Sequence, residues 1–305
     1  MTFRPEWPPA QLPEFAIEAE SLGYDELWVV EDCFFAGGLT LAAMALGATS
    51  HIRVGVGLLP TAVRNPAIAA MEIATLGNVY PGRLYVVFGH GVESWMRQIG
   101  ARPRNRVVVL EETVSTVAAL LAGQEVSLSG ALASLSGVVL DHPPSTPPRL
   151  LVGTTGRQGL EIAGRHADGV LLPQGATAEA VRWARSVTTA ANPASITAVY
   201  AWVWIDDDPE AARAALRPEL AGWRAKGRYP ELARRAPVPD RETPASDAEL
   251  DAALEEMALV GDPATCAAAV RRLGAAGANA VVLRPSVADG LTHVRRFATD
   301  VLPLI

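Results

Sequence analysis

Ile52-Arg53-Val54-Gly55-Val56-Gly57-Leu58-Leu59 is a short β-branched and apolar run closed by Pro60, and it predicts a buried strand. Arg64-Asn65-Pro66 follows, with Asn65 placed as a side-chain cap and Pro66 as a helix-starting proline, ahead of a helix over Ala67 to Asn78. Strand then helix is one βα unit. The same unit recurs in both directions. Further strands are predicted at Leu27 to Val30, Leu84 to Phe88, Leu150 to Val152, Gly169 to Leu172, Ile196 to Ile205 and Ala280 to Leu283. Helices are predicted at Leu12 to Ser21, Leu39 to Thr49, Val107 to Ala122, Gly159 to Arg165, Ala178 to Ala190 and Pro263 to Ala276, and Pro209 after Asp206-Asp207-Asp208 repeats the helix-start pattern. With a stub at Thr2 to Arg4 the strands make eight. Repeated βα units imply a parallel sheet. Eight of them in 305 residues fit a single (β/α)8 TIM-type barrel domain over 1–305, a fold that typically runs to about 250 residues. A doubly wound open sheet competes, but no Gly-x-Gly-x-x-Gly turn follows the first strand.

Two segments interrupt the alternation. Glu125 to Leu140 alternates with period two around Gly130, which predicts a small hairpin inserted before the fifth barrel strand. Arg217 to Ala248, after the seventh, is rich in Pro, Arg and Glu. It reads as a disordered excursion or a lid, and would then be the most mobile and protease-sensitive part of the chain.

Composition excludes several classes of function. Acids outnumber bases 33 to 26, a net charge of −7, and no basic block is available to neutralise phosphates of a nucleic acid. Apolar runs break well short of the ~18 residues of a membrane span. The start, Met1-Thr2-Phe3-Arg4-Pro5, lacks the apolar stretch of a signal peptide. Two cysteines, Cys33 and Cys266, supply neither a disulfide framework nor a metal cluster. A cytoplasmic, metal-free chain is expected. Lys226 is the only lysine and sits in a polar stretch, so Schiff-base chemistry is not expected.

In a parallel barrel, chemistry sits at the carboxyl ends of the strands. Glu31 and Asp32 follow the second strand, and alternation turns one of these carboxylates toward the mouth. The other reading is that they cap or solvate the loop. Gly55 and Gly57 lie within the third strand, where glycine signals a bulge or close approach of backbone to a ligand, so Gly57, Leu58 and Leu59 are candidate contacts. Gly89-His90-Gly91 leaves the fourth strand and exposes a histidine between two glycines. Gly153-Thr154-Thr155-Gly156-Arg157 leaves the fifth and opens a helix, an arrangement suited to a phosphate.

Several stretches, in order along residues 12 to 285, resemble the luciferase-like monooxygenase superfamily, in particular its branch that uses the deazaflavin coenzyme F420. They are Leu22-Gly23-Tyr24-Asp25-Glu26-Leu27-Trp28-Val29, Thr49-Ser50-His51-Ile52-Arg53-Val54-Gly55-Val56-Gly57, Arg64-Asn65-Pro66-Ala67, Pro81-Gly82-Arg83-Leu84 and Ala167-Asp168-Gly169-Val170. The resemblance implies a barrel with the coenzyme ring at its mouth and the phosphate near the fifth strand's exit. It also implies a non-prolyl cis peptide in a bulge of the third strand, here near Gly57-Leu58. Members often carry Asp-His after strand two; Glu31-Asp32 stands here instead. By the resemblance, the coenzyme passes a hydride at C5 and exchanges a proton at N1. His90 is the candidate proton partner, with Glu31 and Asp32 orienting it or contacting substrate. The expected activity is hydride transfer between F420 and a small organic substrate that the sequence does not identify. Alternatives are an FMN-dependent monooxygenase and a non-catalytic flavin-binding barrel. The helices over Leu39 to Thr49 and Ala67 to Asn78 are apolar nearly all round, which predicts a homodimer, also the habit of the family.

Overall fold

The computed structural model describes residues 1–225, 245–288 and 290–305. Strands alternate with helices, and eight of the strands belong to one sheet, as expected for an α/β protein of TIM type. The chain forms two compact units, Phe3–Leu171 with Val187–Ser195, and Met1–Thr2 with Leu172–Ser186 and Ile196–Ile305.

The first unit runs through α1 (Leu12–Ser21), β1 (Glu26–Val29), α2 (Gly38–Ala48), β2 (Arg53–Pro60), α3 (Pro66–Val79), β3 (Leu84–Gly89), α4 (Glu93–Gln98) and α5 (Arg106–Leu121). The hairpin β4 (Val126–Ser129) and β5 (Ser134–Val138) follows, then β6 (Arg149–Gly153), α6 (Arg157–His166) and β7 (Gly169–Leu172). Its strands pair in parallel in the order β1-β2-β3-β6-β7. The hairpin is antiparallel where the period-two pattern placed it. Asn65 caps α3 as read, its side chain accepting from the N–H of Ala67 at 2.9 Å. Trp28 is fully buried and lies on Gly55, where an added Cβ would come within 2.4 Å of the indole. The glycine in this strand thus makes room for a neighbouring ring. α3 leaves Ile68, Met71 and Val79 exposed in the single chain.

The amino ends of these strands are fastened by charged side chains that spend themselves on backbone. Glu20, at the end of α1, accepts from the N–H groups of Ser50, His51 and Ile52 at 2.7–3.0 Å. Arg83 donates to the carbonyls of Ile52 and Thr49 and to the Thr49 hydroxyl. Asp168 accepts from Arg149 and from the N–H of Leu150. The stretches that carry the family resemblance therefore include residues whose work here is structural.

The second unit carries α7 (Ala178–Thr188, its last turn in the first unit), β8 (Ile196–Ile205), α8 (Pro209–Ala225), α9 (Asp247–Met257), β9 (Ala258–Gly261), α10 (Pro263–Ala275), β10 (Ala280–Arg284) and α11 (Gly290–Arg296). β8 pairs in parallel with β10 over Ala198 to Trp202 and with β9 over Trp202 to Ile205. Two expectations need correction. The eighth strand of the sheet is β9, while the Thr2 to Arg4 stub amounts to a bridge at Thr2, whose N–H donates to Leu283 at 2.9 Å. The segment Arg217 to Ala248 is also helical at both ends. Leu216, Leu220 and Trp223 recur at i, i+4 and i+7 and bury against Leu250, Leu254 and Met257. The charges between them pair across the helices, with Arg217 forked onto Asp251 at 2.7 Å. The rest, 226–244 with Lys226, lies outside the described residues.

Burial raises the Glu20 pKa, but three backbone donors outweigh it and hold the carboxyl at about 2, below its ordinary 4.5. A depressed folded-state pKa contributes stability that is complete above the ordinary value and is lost as pH falls through the folded one. Glu20→Gln is expected to lower stability at pH 7 by about 1–3 kcal/mol, as for hydrogen bonds to a charged group. The gap to wild type should narrow as pH falls from 4.5 toward 2, followed by urea unfolding. A gap that does not change with pH would remove the ionised carboxylate from the account.

Candidate active site

Parallel pairing delivers four strand exits to one edge of the first unit. Val29 stands opposite Val56, Pro60 opposite Gly89, and Gly89 opposite Gly153. The exits after Val29, Pro60, Gly89 and Gly153 are therefore neighbours in that order, and the four sequence-predicted groups lie at or next to them. Gly57, Leu58, His90, Gly91 and Gly153 to Gly156 are half-buried, whereas Leu59 is fully buried.

The peptide bond Gly57–Leu58 is cis and the register with β3 shifts between Gly57 and Leu59, a bulge where the sequence placed one. The Leu58 side chain reaches over the two next strands. A Cβ at Gly89 would lie 2.7 Å from it, and one at Gly153 2.6 Å. A Cβ at Gly89 would also stand 2.9 Å from the Gly153 carbonyl oxygen, which cannot yield, whereas at Gly153 the end of Leu58 would have to shift. Gly91 is glycine for another reason, a φ of +68°.

Glu31 is already engaged. Both its oxygens take the Arg64 guanidinium, at 2.5 and 2.8 Å, and one also accepts the N–H of Gly38 at the start of α2. The pair is mostly buried, with side-chain exposures of 12% and 24%. Glu31 thus binds the first exit loop to the second, and among the described residues it makes no hydrogen bond to His90. Sequence reasoning does not find Arg64 as its partner, because the contact spans 33 positions and has no local signature. Asp32 is half-buried, and its carbonyl closes a turn onto Phe35. A second cis bond, Cys33–Phe34, follows, with Phe34 and Phe35 exposed. Burial, then the charges of Glu31 and Asp32, push the Cys33 thiol upward, so it is not poised as a thiolate nucleophile.

His90 lines a small cavity with Thr61, Glu93, Arg102 and Arg106. Burial, and then the charge of Arg106, hold its pKa below the ordinary 6.5, so the ring is neutral at pH 7. Its Nδ1 is buried and has no hydrogen-bond partner among the described residues. A neutral imidazole with a free nitrogen can accept a proton.

At the fourth exit, α6 begins with Gly156 as its N-cap, and no side chain caps it. Thr154 turns inward: its hydroxyl faces Gly159, where a Cβ would come within 2.2 Å, and accepts weakly from the N–H of Gly156 at 3.3 Å. Beside Gly156 a Cβ would meet open space. The first turn therefore presents free N–H groups and the positive end of the helix dipole, the requirements of an anion site. Arg157 is exposed and pairs with Glu161 at 2.9 Å on the same helix. Among the described residues no group of His, Cys, Asp and Glu could hold a metal ion, and no helix is long and apolar enough to cross a membrane.

Glu31→Gln separates the two roles open to that carboxylate. A structural pair predicts a stability loss of about 1–3 kcal/mol, read by chemical denaturation. Unchanged stability with loss of turnover would return Glu31 to the chemistry.

The chain is 32% identical over 185 residues to an F420-dependent glucose-6-phosphate dehydrogenase of Segniliparus rotundus, an alignment covering 56% of this chain and 55% of that one. It is 27% identical over 175 residues to a 5,10-methylenetetrahydromethanopterin reductase of Methanolobus tindarius, covering 56% and 52%. The chain thus spans about half the length of these curated relatives. An F420-dependent secondary alcohol dehydrogenase, solved with an F420-acetone adduct, shares the fold with a TM-score of 0.81 at 22% identity, over 98% of this chain and 96% of that one. The family model for luciferase-like monooxygenases matches residues 4–280. The chain belongs to the luciferase-like monooxygenase family.

Proposed function

We propose that this chain is an oxidoreductase that uses coenzyme F420 to move a hydride to or from a small organic substrate. The observation that carries the reading is the edge formed by β2, β3 and β6: Leu58 lies over Gly89 and Gly153, flanked by His90 and by the uncapped start of α6. The names of its relatives point the same way. Bound there, the deazaflavin would supply hydride chemistry, with a proton passing alongside. The residues present fit that group. Open space at Gly156 and the free N–H groups of α6 suit its phosphate, and Leu58 offers an apolar surface to a ring. His90 would hold or release the proton at Nδ1, the buried atom without a partner. Glu31 and Arg64 would keep the first two exit loops in place. Titration with F420 and, separately, with FMN tests the coenzyme. Retention of FMN alone would make the chain a flavin monooxygenase, and retention of neither would sink both readings.

Two variants test the roles. Gly156 has a φ of −98° and space for a side chain, and aspartate is a favourable N-cap. Gly156→Asp should fold with undiminished stability, yet its charge opposes the phosphate. F420 affinity is expected to fall more than tenfold, or about 1.4 kcal/mol; unchanged affinity would move the phosphate elsewhere.

His90→Gln keeps approximate size but cannot titrate. Turnover is expected to drop roughly 10²–10⁴-fold with coenzyme binding little changed. In the direction that oxidises substrate, the neutral ring is the active form. Because burial and Arg106 lower its pKa, activity should persist as pH falls to 6.5 and decline only below that. Near wild-type turnover in the variant would pass the role to Asp32.

A further inference from the structure

Residues 93–106 carry Arg97, Arg102, Arg104 and Arg106 against one acid, Glu93, a local charge of +3 in a chain whose net charge is −7. Glu93 is shared among three of them. Arg106 lies 2.7 Å from it, Arg102 3.0 Å and Arg97 3.7 Å. One carboxylate cannot neutralise three guanidinium groups. Arg102 and Arg106 are 62% and 49% exposed, so each keeps N–H donors free of Glu93. A solvated helix face normally mixes charges of both signs; this stretch does not.

Its position gives the excess charge a use. Arg102 and Arg106 line the same cavity as His90, Thr61 and Glu93, so two guanidinium groups stand against one carboxylate around it. The cavity holds about 10 Å³, room for one water-sized oxygen. His90 borders it with a buried Nδ1 lacking any partner among the described residues. The planar forks at the rim match a carboxylate or phosphate.

We infer that Arg102 and Arg106 form a subsite for an anionic substrate, a carboxylate or phosphate with one oxygen in the cavity beside His90 and the others on the two guanidinium groups. The inference rests on the reading of His90's edge as the reaction centre, and it narrows the substrate class to anions. It also explains why a single acid stands among the arginines: Glu93 holds the forks in place and leaves them a net positive charge. The coenzyme's phosphate offers the same chemistry, and the test separates the two sources.

The probe is inorganic phosphate, titrated calorimetrically into the free protein and into protein saturated with F420. Saturable binding is expected to remain after F420 is bound. The double variant Arg102→Gln/Arg106→Gln should weaken it at least tenfold, with F420 affinity unchanged. Arg102→Gln alone, at a mostly exposed position, should give an intermediate value and guards against misfolding of the double variant. Arg104→Gln removes an equal charge outside the cavity and should change affinity less than about threefold, as for a screened surface charge. Phosphate that does not saturate, or that binds the double variant as tightly as wild type, overturns the subsite. Phosphate displaced by F420 overturns its assignment to substrate and gives the arginines to the coenzyme. Protein that takes phosphate in an Arg102- and Arg106-dependent way but takes no F420 supports the anion subsite and overturns the coenzyme reading alone.

Discussion

Leu58 reaches across the carboxyl ends of β3 and β6, and the space it occupies is the space a Cβ at Gly89 or Gly153 would need. A side chain at either glycine would have to displace the end of Leu58. Two adjacent strands therefore end in bare backbone, and the groups with chemistry are moved one residue further out, to His90 and Thr154. The register shifts between Gly57 and Leu59, and Leu58 within that bulge occupies space beside both neighbouring strand ends. One apolar side chain thus organises an edge whose other members are polar.

The two ends of the strands use charge differently. At the amino ends, Glu20, Arg83 and Asp168 are spent on backbone groups, and each replaces hydration of N–H or carbonyl groups where the chain enters a strand. At the carboxyl ends the pairing is unequal. Glu31 and Arg64 balance each other, while Glu93, which shares the His90 cavity, faces three arginines. Such imbalance costs stability unless a ligand of opposite sign relieves it. It belongs where a ligand is expected.

Much of the fold was legible because its signals are local. The run Ile52 to Leu59, the Asn65-Pro66 cap and the alternation around Gly130 each act over a few residues, and each forms the element it predicts. The bulge was legible from Gly57 and the family resemblance. The failures have physical causes. Ala258–Gly261 is four apolar residues directly after a helix, too short for a period to distinguish strand from helix end. Pro218 and the dense arginines hid the stripe Leu216, Leu220 and Trp223, because a proline and paired charges both imitate a loop. At the site, residue types at strand exits were readable, but partners were not. Glu31 finds Arg64 across 33 positions, and His90 meets Arg106 only through the packing of its loop.

The β4–β5 hairpin sits in the connection that enters β6 at its amino end, away from the edge that carries His90 and Gly156. Its turn is held by a hydrogen bond from the N–H of Ala131 to Glu112 on α5, and Gly130 admits that carboxylate where a Cβ would stand 2.6 Å away. Exposed turns of this kind are where chains accept inserted sequence. For this protein the turn beyond Ala131 is a natural place to graft a tag, a fluorophore site or a second domain. An attachment there would report on the protein from the far end of its strands, leaving the carboxyl edge uncovered.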